Sequence, residues 1–295
     1  MTKQVALALA LLAAAWSWTS SAPLAAQTAN ASPTRIISLV PSVSEMLFAI
    51  GEGRRLVGVS TYDRFPPEVS KIPKVGGLVD PDVERILALR PDLVVLYGTQ
   101  TELVQRLDRA GIPYFSYVHR ALPDIAETLR AIGARIGVAA RANTVATEME
   151  RSLAAIREAT SRLPHATTLL VFGRDPASLR NVYASGGYGF LHDMLEVAGG
   201  TNVFGDVKQQ SVLVSTELLL TRRPEVIIEL RYGDSLATAD IPKELLVWNA
   251  LASVPAVRNH RVHALVGDEF VVPGPRVVEA TRKLAETLHP DTLAR

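Results

Sequence analysis

"AARANTVATEMERSLAAIREATSRL", residues Ala139 to Leu163, runs for 25 positions without a glycine or a proline. Good helix formers dominate it, and Val145, Met149, Leu153 and Ile156 recur at helical spacing. Pro164 follows, where a helix must stop for want of an amide donor. At 1.5 Å per residue such a helix spans roughly 37 Å, long enough to cross between two lobes.

On either side of this stretch the pattern changes. Before it, "RIISLV" (Arg35 to Val40), "LVGVS" (Leu56 to Ser60), "DLVVLY" (Asp92 to Tyr97) and "IPYFSYV" read as strands. "PSVSEMLFAIG", "ELVQRLDRAG" and "DIAETLRAIGARIG" read as helices between and after them. Ser42 and Glu45 have the S-x-x-E spacing of a capping box, and Gly51 suits the end of that helix. After Pro164 come the strands "TTLLVFGR", "PEVIIEL" and "RVHALV". The helices there are "GYGFLHDMLEVAGG", "STELLLTRR", "KELLVWNALASV" and "PRVVEATRKLAETLH". Strands alternating with helices predict parallel sheets and an α/β class.

The two halves echo each other. "DPDVERILALRPDLVV" and "STELLLTRRPEVII" each place a glutamate, Glu84 or Glu217, six residues before an Arg-Pro. The offset between them is 133 residues. A second match, "EMLFAIG" (Glu45 to Gly51) with "DMLEVAG" (Asp193 to Gly199), has an offset of 148. Each half thus reads as a variant of one α/β unit, and the long helix joins them.

Composition narrows the function. Lys and Arg number 31 against 30 Asp and Glu, with no basic stripe, which argues against nucleic acid as the main partner. "MTKQVALALALLAAAWSW" has a basic start, an apolar run too short for a membrane span, and small residues after it. That is the pattern of a secretory leader over residues 1–26, cleaved near Ala26, with a flexible tail over 27–33. There is no cysteine, hence no disulfide, no thiolate metal site and no residue to carry a lipoprotein anchor. The expected product is an exported, soluble protein.

The chain resembles the helical-backbone, or class III, periplasmic substrate-binding proteins of ABC importers, the group that carries cobalamin (vitamin B12), haem and ferric siderophores. The resemblance rests on "RIISLVPSVSEMLFAIG", "LVGVSTYDRFPPEVSKIPKVGG", "DPDVERILALRPDLVV", "FLHDMLEVAGGTNVF", "STELLLTRRPEVII" and "PGPRVVEA". It covers nearly everything after the leader, and Val57 to Val95 is most similar to the cobalamin-binding branch.

The resemblance implies two Rossmann-like lobes with central parallel sheets, residues 34–138 and 164–295. One rigid helix over 139–163 joins them, and the ligand cleft lies between. It implies a monomer that captures a cobalamin-like corrinoid or related iron chelate. It then delivers that cargo to a permease dimer with its ATPase subunits. Glu84 and Glu217 match the family's two docking glutamates, one per lobe, that meet arginines of the permease. No enzymatic activity and no cofactor are implied, although the cargo can itself contain cobalt or iron.

Ligand in such a fold sits beyond the carboxyl ends of the strands. In the first lobe that points to Ser42, Tyr62, Phe65, Leu78 and Tyr97. In the second it points to Arg174, Tyr183, Tyr188, Phe190, Arg231, Tyr232 and Phe270. Aromatic rings there could stack on a corrin or porphyrin. Arg174 and Arg231 would suit carboxylates such as haem propionates. Tyrosine or histidine could ligate haem iron, and His119 is the best-placed histidine. The cobalamin branch lines its cleft with tryptophans; Leu78 and Tyr97 stand at the matching positions, and Trp248 is the one tryptophan outside the leader. A haem or ferric-siderophore carrier is therefore the alternative within the family.

Two rivals come from other classes. His260-x-x-His263 with Asp268 and Glu269 resembles metal-ligand spacing only loosely, because His260 would project to the opposite face from His263. An exported hydrolase is the enzymatic alternative. However, "GGYGF" is neither G-x-G-x-x-G nor a phosphate loop, and "ASGGYG" lacks the order of a nucleophile elbow.

Overall fold

Ile36, Ile37 and Ser38 are buried to the last atom because a parallel sheet is covered by helices on both faces. The computed structural model that shows this describes residues 32–118, 120–233 and 240–293. The leader, the tail to Ala31, and His119 lie outside the described residues. The first lobe contains β1 (Ile36–Ser38), α1 (Pro41–Ala49), β2 (Leu56–Val59), α2 (Val83–Ala88), β3 (Leu93–Tyr97), α3 (Thr101–Arg109), β4 (Tyr114–Tyr117) and α4 (Pro123–Arg135). Its strands are all parallel, in the order β2-β1-β3-β4.

The helix expected over residues 139–163 is α5 (Ala139–Thr160), 22 residues long, and it ends three residues early. Its buried stripe is Ala142, Ala146, Met149, Leu153, Ile156 and Thr160, and Val145 is half-buried beside it. Steps of four and three residues keep that stripe on one face of the helix.

The second lobe contains β5 (Thr167–Gly173), β6 (Val182–Ser185), α6 (Phe190–Val197), β7 (Thr201–Asn202), β8 (Ser211–Val214), α7 (Thr216–Arg222) and β9 (Val226–Arg231). It continues with α8 (Ile241–Leu245), α9 (Pro255–Arg258), β10 (Val262–Val266), α10 (Val277–Leu288) and α11 (Pro290–Leu293). The sheet order is β10-β9-β5-β6-β8, with β7 beside β5. Strand β6 is antiparallel to both β5 and β8, so this sheet is mixed. Strands β6, β7 and β8 have two to four residues each, too short to show a periodicity in sequence. The single helix expected over "KELLVWNALASV" is instead the short α8 and a 3₁₀ turn, Leu246–Leu251, that buries Trp248.

One apolar cluster runs through both lobes. It joins Ile36, Leu47 and Leu129 of the first to Met149 and Ile156 of α5 and to Leu195, Ile228 and Leu284 of the second. The lobes are fused along α5 and do not hang from a linker.

The repeat is physical. Thr34 donates to Asp92 Oδ2 from its amide (2.8 Å) and its hydroxyl (3.0 Å). Thr167 donates to Glu225 Oε2 in the same way, at 2.8 and 3.0 Å. Both pairs are separated by the offset of 133 that relates Glu84 to Glu217. Arg90 and Arg223 share it too, and both take left-handed backbone, φ 47° and 50°.

The second match has a structural meaning as well. Glu45 on α1 accepts from Arg276 Nε of the second lobe at 2.9 Å. Asp193 on α6 accepts from the Leu122 amide of the first lobe at 2.9 Å. Each lobe thus reaches across to the start of the other's closing helix. This corrects the capping-box expectation: α1 is capped at Val40 with no side-chain bond, and Glu45 serves the other lobe.

Candidate functional site

The carboxyl ends of the strands bring part of the expected set together. In the first lobe, β3 ends at Tyr97, whose amide donates to the Gln100 side chain at 3.0 Å. The Gln100 amide group donates in turn to the carbonyls of Gly77 (3.1 Å) and Leu78 (3.0 Å). Leu78 and Tyr97 are thereby held in one wall. The Tyr62 ring lies against Gly77, where an added Cβ would meet it at 2.6 Å and push the ring aside. Tyr97 meets Tyr117 edge to face at 5.8 Å. Burial, and to a lesser degree the Asp63 charge, push the Tyr97 phenol up to about 12, which keeps it a proton donor.

Behind Tyr62 lies Asp63, buried and without a hydrogen bond of good geometry at either carboxylate oxygen. Burial pushes its carboxyl up to about 7; the Ser44 hydroxyl and the Lys74 ammonium nearby offset only part of this.

In the second lobe a hollow of about 370 Å³ is lined by Phe172, Tyr188, Phe190, Leu191, Gln210, Ser211, Tyr232 and Val271, with Gly189 at its edge. Its walls are mainly apolar, with phenol, amide and hydroxyl groups among them. Gly189 caps α6 with φ 97°, and a Cβ there would press on the Arg120 carbonyl of the other lobe at 3.2 Å. Tyr183 is exposed and tilts against Phe172, ring centres 6.4 Å apart.

Four expected residues are placed differently. The Arg174 side chain is only 1% exposed. It donates to Glu229 Oε1 at 2.6 Å, to the carbonyls of Asp175 and Ser178 at 3.1 and 3.3 Å, and to that of Glu244 at 2.9 Å. It is consumed by the fold and does not await a ligand carboxylate. Phe270 is fully buried in the core. Ser42 is buried beside the Tyr117 phenol. Phe65 is exposed but faces a flanking groove with Phe48, Pro66 and Pro275, where its ring lies 4.2 Å from the Arg276 guanidinium.

Arg231 does line a smaller polar hollow of about 240 Å³, together with Arg174, Glu229 and Tyr232. Its guanidinium is paired with Glu229 and, at 2.8 Å, with Glu244. Trp248 donates to Glu229 at 2.6 Å and is likewise structural. An acid inside the apolar strand "VIIEL" was the signal for this network, since a buried carboxylate demands cations. Phe172, at the end of β5, could have been found by the same strand-end rule; Gln210 carried no sequence signal.

His260 occupies a left-handed turn and His263 lies in β10. Among the described residues no three His, Asp or Glu side chains are grouped to hold a metal ion. Glu84 and Glu217 are exposed in the first turns of α2 and α7.

Comparison with known proteins agrees with this architecture. Residues 36–268 match the periplasmic binding protein family, and the chain belongs to it. A vitamin B12-binding protein of Yersinia pestis is 29% identical, over 86% of this chain and 86% of its own. An ABC transporter substrate-binding lipoprotein of Bacillus subtilis is 28% identical over 90% of this chain and 83% of its own. The apo periplasmic heme-binding protein of Roseiflexus superposes with a TM-score of 0.75 at 25% identity, covering 87% of this chain and 98% of that one.

Proposed function

We propose that this periplasmic binding protein is the substrate-binding component of an ABC importer, exported by a leader cleaved near Ala26. It captures a cobalamin-like corrinoid, or a related iron chelate, between its lobes and delivers it to a permease dimer through Glu84 and Glu217. It carries its cargo without turning it over. One observation carries the choice of cargo. Tyr62, Leu78 and Tyr97 form one wall, and Tyr188, Phe190 and Tyr232 line the hollow of the other. The two arginines best suited to propionates, Arg174 and Arg231, are already neutralised by Glu229 and Glu244. Such walls suit a large ring with a polar, weakly charged rim better than a dicarboxylate.

The test is to titrate the purified protein, without its leader, separately with cyanocobalamin, haemin and a ferric hydroxamate, by absorbance and calorimetry. The expected result is one-to-one binding of cyanocobalamin, weakened by Tyr188→Ala and Tyr232→Ala. Binding of haemin or hydroxamate alone would move the protein to that branch of the family. Catalytic turnover of any of them would overturn the carrier reading.

A further inference from the structure

The exposed faces of α2 and α7 share more than a glutamate. Leu87 is three residues after Glu84, and Leu220 is three residues after Glu217. Residues at i and i+3 of a helix lie on one face. Both leucines are open to solvent, 37% and 42% exposed. The core-facing neighbours, Ile86 and Leu219, are buried, so the exposed leucines do no packing that those already do.

A single exposed leucine on a soluble protein is unremarkable. Here the same residue recurs at the same register in two lobes whose other positions have diverged. Arg85 stands opposite Leu218, and Ala88 opposite Thr221. What stays outside is Glu, Leu and Arg: 84, 87 and 90 in one lobe, 217, 220 and 223 in the other.

Both patches are held rigidly. Asp82 caps α2 by accepting from the Arg85 amide at 2.9 Å, and Ser215 caps α7 by accepting from the Leu218 amide at 3.2 Å. Behind each, the Thr–acid pair ties the following strand to the centre of its sheet.

We propose that each lobe docks through a Glu–Leu pair, and that Leu87 and Leu220 each enter an apolar socket next to the partner's cation. This rests on the reading that Glu84 and Glu217 meet the permease. The partner it fits is a two-fold symmetric membrane protein whose exposed face repeats one motif: a guanidinium or ammonium group with a leucine-sized apolar recess one helical turn away. The charge steers the encounter and responds to salt, whereas the leucine adds contact area that salt does not screen.

The experiment measures saturable binding of the cyanocobalamin-loaded protein to membrane vesicles from the organism that makes it, at low and high salt. Wild type is compared with Glu84→Ala/Glu217→Ala, with Leu87→Ala/Leu220→Ala, and with each single leucine variant. All carry changes on exposed side chains, and cyanocobalamin titration checks that each is folded and loaded. The leucine double variant should bind roughly tenfold or more weakly while keeping the wild-type salt dependence. Each single variant should lose a similar share. The glutamate double variant should lose binding and most of its salt dependence. If the glutamate pair matters and the leucine pair binds like wild type, the sockets do not exist and the proposal fails, although the docking glutamates stand. If neither pair matters, the docking reading itself fails.

Discussion

Strands β3 and β9 occupy the same place in the two lobes, 133 residues apart, and their outer and inner ends tell different stories. The outward elements next to them keep a common set among otherwise different residues: Glu84 and Glu217, Leu87 and Leu220, Arg90 and Arg223, with the acids Asp92 and Glu225 behind. Toward the cleft the repeat dissolves. Leu96 stands where the second lobe has Glu229, Gly98 where it has Arg231, and Pro41 where it has Arg174. A partner with two equal halves favours two equal patches. On the proposed function, a single cargo with unlike sides favours no such symmetry at the cleft ends.

The comparison breaks most sharply at Glu229. Replacing it by the first lobe's residue, Glu229→Leu, leaves the buried Arg174 with only the Glu244 carboxylate at 4.0 Å and takes the acceptor from the buried Trp248 N–H. The expected loss is ~3–5 kcal/mol of stability, read by thermal or urea unfolding, because removing one partner strands the other charge. The double change Arg174→Leu/Glu229→Leu should recover most of it. An unfolding midpoint of Glu229→Leu equal to wild type would show that the pair is not desolvated.

Asp63 gives the first lobe a buried charge problem of its own. Burial keeps it protonated in the fold up to about pH 7, whereas the unfolded chain releases that proton near 3.8. Between those values the native state holds more protons than the unfolded one. The contribution of Asp63 to stability therefore falls as pH rises from about 4 to about 7, and levels off above, by at most ~4 kcal/mol. Asp63→Asn should flatten this slope. A pH slope that is the same in Asp63→Asn as in wild type would refute the assignment.

The two cross-lobe contacts are matched in position but not in strength. Glu45→Ala strands Arg276, which then keeps only Glu269 at 3.2 Å, and should destabilise by ~3 kcal/mol. Asp193→Ala removes one charge-assisted bond to the Leu122 amide and should destabilise by ~1.5 kcal/mol. Equal losses in the two unfolding curves would mean that the contacts are equivalent after all. Smallest of all is Arg130 with Glu150, a bidentate pair at 2.7 Å on the solvent side of α4 and α5. Arg130→Ala should cost under ~1 kcal/mol, and less still in high salt.

Much of this was legible in the chain. The class, the backbone helix and the outward repeat all rest on local signals: periodicity of 3.6 or continuous apolar runs, caps, and Arg-Pro stops. The strand-end rule pointed to Tyr62, Leu78 and Tyr97, which lie near one another in the first lobe, and to Tyr188, Phe190 and Tyr232, which line one hollow in the second. It failed at Phe270, because a residue just after a strand can turn inward as easily as outward. It also failed at Ser42, which is buried beside the distant Tyr117, and at Phe65, whose ring lies against Arg276.

What the amino-acid order determined by itself, then, is what neighbours a few residues away govern: where the longer helices and the buried strands lie, and that one unit occurs twice. What only the tertiary structure decided is the use of each charge. Arg174 meets Glu229 across 55 residues and Glu45 meets Arg276 across 231. A charge leaving water must find its counter-charge wherever the folded chain brings one, and sequence spacing carries no record of that distance.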